Sequence, residues 1–74
     1  MIKITLVETL DRHKITANKL SVESKVRPST IYDIINNQAT TVTFVTMVKL
    51  VETLRELTGD KSINVMDIFR YEDD

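Results

Sequence analysis

Apolar residues recur along this chain at helical spacing, with little to interrupt them. Ile2, Leu6 and Leu10 fall at i, i+4 and i+8, one face of a first helix over about Lys3 to His13. Lys14-Ile15 ends it, and Thr16 is placed to cap a second helix from Ala17 to Ser24, anchored by Leu20. After the break Lys25-Val26-Arg27, Pro28 opens a third helix at the position where its missing N–H would be unpaired anyway. Arg27 is a poor N-cap, so this start is less well specified. Ile31, Ile34 and Ile35 form the apolar stripe of the third helix. Asn36-Asn37 closes it, since asparagine tolerates the left-handed conformation. A loop over 38–42 leads to Thr43, which caps a fourth helix from Phe44 to Thr58, and Gly59 stops it. Apolar residues of helix four cover about two-thirds of its circumference, more than one core needs. Asn64 caps a short fifth helix, Val65 to about Arg70, with Val65, Ile68 and Phe69 facing inward. The pattern predicts an all-α, compact five-helix fold in one domain over 1–74, with an acidic tail at 71–74.

Composition narrows the function classes. The 74 residues are 42% hydrophobic and 28% charged, an ordinary globular mix. There is no cysteine, so disulfides and thiolate metal sites are excluded and a reducing compartment fits. No apolar run approaches a membrane span and no signal-peptide pattern is present, so the expectation is a cytoplasmic protein. Net charge is −1, but it is unevenly spread. Residues 1–37 hold six Lys/Arg against four acids, and residues 38–74 hold four against seven. A strongly basic DNA-binder would show more.

Helix two, the short turn and helix three make a helix-turn-helix over about 16–36. The second helix of such a motif lies in the major groove, and its N-terminal residues reach base edges. Opposite the isoleucines of helix three lie Ser29, Tyr32, Asp33 and Asn36, with Arg27 at its head.

Here the chain resembles the Cro/repressor-type helix-turn-helix regulators, the phage repressors and their bacterial Xre-like relatives. Leu6 and Leu10, then "ITANKLSVESKVRPSTIYDIINN", "TFVTMVKLVETL" and "NVMDIF" carry the resemblance. Thr16, Leu20, Ser21, Lys25, Val26 and Ile31 match the family's order without a gap. Five positions depart from it. Lys25 stands where the family usually has a turn glycine, at a strain cost if that residue is left-handed. Ser21 replaces a small alanine between helices two and three. Leu10 and Ile35 replace a frequent arginine–glutamate pair and are predicted to touch, since packed hydrophobes substitute well for a buried ion pair. Ala17 replaces a glutamine that typically binds phosphate.

What the resemblance implies is a sequence-specific regulator, repressor-like and of phage or prophage type, acting on double-stranded operator DNA in the nucleoid. Base-edge readers would be Arg27, Pro28, Ser29, Tyr32 and Asp33. Arg27 suits guanine, Pro28 and Tyr32 a thymine methyl, and Asp33 a cytosine amine. Backbone contacts would come from Thr16, Lys19, Asn36, Gln38, Thr40 and Thr41, with helix N-termini adding amides.

Other readings stand beside this one. Outward polar residues on a short helix are usually solvated surface, and Tyr32 reads equally as a half-buried cap over Ile31 and Ile35. The same fold could serve as a protein-interaction module that binds another regulator, its groove side weakened by Ala17 and Asp33. A continuous positive rim of Lys14, Lys19, Lys25 and Arg27 would favour DNA; Asp33 and Glu23 would break it. Exposed Val45, Val48 or Leu57, or Ile4 on helix one, would support a homodimer through helices four and five; if helix five covers them, the protein is a monomer. A protein antagonist or co-regulator is the remaining partner class. Catalysis is not expected: no Cys, Ser or Lys nucleophile has a histidine base in view, and there is no glycine-rich phosphate loop. His13, the sole histidine, has no co-ligands for a metal, so it reads as structural or surface, and no cofactor is implied.

Overall fold

In the computed structural model, which describes residues 1–73, four helices and a two-stranded sheet enclose one core. The elements are β1 (Ile2–Ile4), α1 (Leu6–His13), α2 (Ala17–Ser24), α3 (Pro28–Ile35), α4 (Phe44–Thr58), a 3-10 turn (Val65–Asp67) and β2 (Phe69–Tyr71).

The five-helix expectation is corrected at both ends of the chain. The first helix begins at Leu6, not Lys3, because Ile2–Ile4 is extended and pairs antiparallel with Phe69–Tyr71. The fifth helix is one 3-10 turn followed by a strand. Isoleucine, phenylalanine and tyrosine suit a pleated, half-buried surface. Ile4 sits opposite Phe69, and both pack against the core. Ile2 sits opposite Tyr71 on the same face, farther out and exposed. Lys3 and Arg70 are opposed on the other face; each leans to an acid instead, Lys3 to Glu8 at 3.7 Å and Arg70 to Glu72 at 3.4 Å. Tyr71 thus ends the strand, and Glu72, just past it, is tied to Met1 rather than lying in a free acidic tail. The Glu72 amide donates to the Met1 carbonyl at 2.8 Å and the terminal amine donates to the Glu72 carbonyl at 2.7 Å. Asp74 lies outside the described residues.

Hydrogen bonding explains why helix does not continue past Asp67. The Thr5 hydroxyl donates to the Met66 carbonyl at 2.8 Å, and the buried Thr9 hydroxyl donates to the Asp67 carbonyl at 2.7 Å. The amides of Thr5 and Leu6 both donate to the Ile68 carbonyl, at 2.9 and 3.1 Å. Three successive carbonyls that would accept within a longer helix are instead bound to α1. In return, α1 gains partners for its first N–H groups, which its own Thr5 side chain does not cap. Ile68 is fully buried by this arrangement and Phe69 half-buried, but Val65 is exposed, contrary to the inward face expected of it.

The three middle helices keep the boundaries read from their caps. Thr16 accepts from the Lys19 amide at 3.0 Å, and Thr43 accepts from the Thr46 amide at 3.2 Å. Asn37 and Gly59 take the left-handed conformation past α3 and α4, at φ 56° and 72°. Leu6, Leu10, Leu20, Val26, Ile31, Ile34, Met47, Leu50, Leu54, Ile63 and Ile68 form the core. Ile35 packs partly buried against the same core that holds Leu10. Ile63 enters through the loop after α4, where the Arg55 Nε–H donates to its carbonyl at 2.6 Å.

Candidate nucleic-acid interface

The motif is built on a braced turn. Lys25 is left-handed at φ 61°, so the strain expected of a lysine there is present. Two buried serines hold the turn. The Ser21 hydroxyl donates to the Val26 carbonyl at 2.6 Å, and the Ser24 hydroxyl accepts from the Val26 amide at 3.2 Å. Ser21, which the sequence reading treated as a departure from close packing, is thus a polar clamp on Val26. Val26 itself is buried and ties the turn to the core. These bonds set how α3 leaves α2.

From α3, Ile31 and Ile34 point into the core and Ile35 is half-buried. Arg27, Pro28, Ser29, Asp33 and Asn36 are exposed, and Tyr32 is 49% exposed, between a buried cap and a free side chain. The side chains of Arg27, Ser29, Tyr32, Asp33 and Asn36 make no hydrogen bond or ion pair among the described residues. They offer a guanidinium, a hydroxyl, a phenol, a carboxylate and an amide from one helix and its head.

The residues expected to hold phosphate are also exposed, but two are already engaged. Thr16 Oγ1 is the α2 cap, which leaves its hydroxyl hydrogen to donate. Lys19 pairs with Glu23 at 3.1 Å, one turn on. An exposed pair of this kind holds only a few tenths of a kcal/mol, roughly, so a phosphate can compete for the lysine. Gln38, Thr40 and Thr41 are exposed in the loop before α4. Lys14, Lys25 and Arg27 carry no ion pair among the described residues. Glu23 is thus matched by Lys19, while Asp33 remains an unmatched negative charge on α3. No acid stands in the first turn of α2, α3 or α4, so the positive ends of three helices are left uncompensated.

Comparison with protein-family models, with curated proteins and with solved structures finds no match for the chain. No group of metal-binding side chains is found among the described residues, and no helix there is long and apolar enough to cross a membrane. His13 Nε2 is buried without a hydrogen-bond partner among the described residues.

Proposed function

We propose that the protein is a sequence-specific DNA-binding regulator of the repressor type, with α3 entering the major groove. The observation that carries this is the outward face of α3. Arg27 at its head and Ser29, Tyr32, Asp33 and Asn36 along it are exposed and make no side-chain hydrogen bond or ion pair among the described residues, on a helix that leaves a turn braced by Ser21 and Ser24. Arg27 supplies bidentate donors, Ser29 and Asn36 shorter-range hydrogen bonds, and Asp33 an acceptor that selects against phosphate and for a base amine. Lys14, Lys19 and Lys25, the loop hydroxyls of Thr40 and Thr41, and the helix N-termini supply the charge that holds the backbone.

Selection from random duplex DNA, sequenced and repeated at two salt concentrations, tests this. The expected result is an enriched motif whose affinity falls as salt rises. Arg27→Ala should weaken the preferred site by about 1–3 kcal/mol and relax preference at one base pair. Absence of enrichment at low salt refutes the proposal. It would favour the second reading, a protein-interaction module, which the unmatched Asp33 supports because a carboxylate facing phosphate is repelled.

A further inference from the structure

The sheet that joins the two chain ends has an open edge on β1. In an antiparallel ladder, opposed residues alternate between pairs that exchange both backbone bonds and pairs that exchange none. Met1 and Glu72 exchange both, and the Thr5 amide reaches the Ile68 carbonyl, so the bonded positions are Met1, Lys3 and Thr5. Ile2 and Ile4, opposite Tyr71 and Phe69, fall between them, and their N–H and C=O groups point away from β2. None of these groups meets another donor or acceptor among the described residues. Beside this edge lies a groove of about 350 Å³. Ile2 and Ile4 line it from β1, Phe69 from β2, and Val42, Phe44 and Met47 from the loop and the start of α4. Phe44 is 90% exposed, although it opens the longest helix.

We infer that this edge and groove take an extended peptide of another protein, added antiparallel to β1 as a third strand, with the side-chain order apolar, acidic, apolar. Backbone chemistry selects an extended segment. The free N–H and C=O groups of Ile2 and Ile4 repeat at the spacing of alternate residues in a strand, and a strand added there pairs with all of them. Its two bonded residues carry their side chains on the face of Ile2 and Ile4, so both enter the groove, beside the uncovered ring of Phe44. The volume suits one or two aliphatic side chains and is too small for a larger ligand. The residue between them lies on the other face, against Lys3. Lys3 holds Glu8 only loosely, at 3.7 Å with both side chains exposed, so an incoming carboxylate can share or take the ammonium. Charge also selects against a second copy of this chain. Pairing β1 with β1 through both isoleucines sets Lys3 against Lys3, and antiparallel pairing of β1 with the free edge of β2 sets it against Arg70. Like charges directly opposite one another are destabilising. An acid at the middle position turns the same lysine from a guard into a selector.

The inference does not depend on DNA binding, and its test uses the free protein. The probe is a short peptide blocked at both ends, with valine, aspartate and valine at its centre and serines around them, titrated into the isotope-labelled full chain. The amide resonances of Ile2 and Ile4 should move with added peptide, and their hydrogen exchange should slow. A peptide with lysine in place of the aspartate should bind roughly three- to tenfold more weakly, and Lys3→Glu should remove or invert that preference. The same peptide N-methylated at both valines has no amide to donate to β1 and should not bind. Phe44→Ala should weaken binding about tenfold. Lys3 and Phe44 lie outside the core, so both variants should keep the parent's helical spectrum. Unmoved Ile2 and Ile4 amides at millimolar peptide overturn the inference. So does equal binding of the lysine peptide, or of the N-methylated one, which would mean capture of apolar side chains without a strand. So does an edge already closed by a second copy, seen as protected Ile2 and Ile4 amides and a doubled mass without peptide.

Discussion

Replacing Thr9 by valine removes one hydroxyl and keeps the shape. Thr9 is 2% exposed, and its hydroxyl donates to the Asp67 carbonyl at 2.7 Å and more weakly to the Thr5 carbonyl at 3.2 Å. The Thr5 carbonyl keeps the Thr9 amide as a donor at 3.1 Å, so the loss falls on Asp67. Leaving that partly buried acceptor unpaired costs about 1–2 kcal/mol. A chain of this length has a total stability of roughly 4–11 kcal/mol, so the fraction lost is large. With a urea dependence of about 1 kcal/mol/M for a small domain, the unfolding midpoint should fall by about 1–2 M. Circular dichroism in urea measures the shift. Hydrogen exchange locates it, since the Thr5 and Leu6 amides, both bound to the Ile68 carbonyl, should lose protection first. A Thr9→Val protein as stable as the parent, with those amides still protected, would refute the idea that threonine hydroxyls fasten the C-terminal segment to α1.

Two further changes test local features. Lys25→Gly should relieve the left-handed strain at φ 61° and stabilise by about 0.5–1 kcal/mol after the greater freedom of unfolded glycine is subtracted. The thermal midpoint should then rise by roughly 2–8 °C, and a fall would show that the lysine is unstrained. The Asp60 carboxyl is held below its ordinary value chiefly by the Ser62 hydroxyl, at 2.5 Å, and next by the Ser62 amide, at 2.8 Å. Ser62→Ala should raise its midpoint, followed by carboxyl NMR. A depressed carboxyl stabilises the fold above its unfolded pKa and loses that effect as pH falls through the folded one. The variant should therefore differ from the parent near neutrality and converge with it in acid. An unchanged midpoint would assign the depression to other groups.

Where an element carries its own punctuation, the chain was legible. Thr16, Pro28, Thr43 and Gly59 each act on the residues beside them, and α2, α3 and α4 begin or end where they stand. The sheet was not legible in the same way. Ile2, Leu6 and Leu10 fit a helix face as well as a strand followed by a helix, and three-residue strands are too short to display a period of two. What decides between them is a partner some seventy positions away, Ile2 against Tyr71, and hydroxyls at Thr5 and Thr9 that bind carbonyls of Met66 and Asp67. The alternation of apolar and basic residues in Ile2-Lys3-Ile4 and Phe69-Arg70-Tyr71 was the available signal. The reading that made Ile4 an exposed candidate patch fails for the same reason, since in β1 it packs on the core. For the interface, the exposed side of α3 followed from its isoleucine stripe alone. The engagement of Lys19 was also within reach, because Glu23 stands four residues on. The role of Ser21 was not, since it depends on where the Val26 carbonyl points after the turn.

The pairing of the two chain ends also sets how the molecule bears load. Antiparallel ladder bonds run across the strands. Force applied at Met1 and at the residue after Glu72 therefore opens the ladder one pair at a time, as a zipper opens, instead of shearing all pairs together. Met1–Glu72 parts first, then Ile2–Tyr71 and the pairs behind it, until the Ile68 carbonyl leaves the start of α1. A surface or bead attached through both ends would peel α1 loose at low force, while α2, α3 and α4 would yield later.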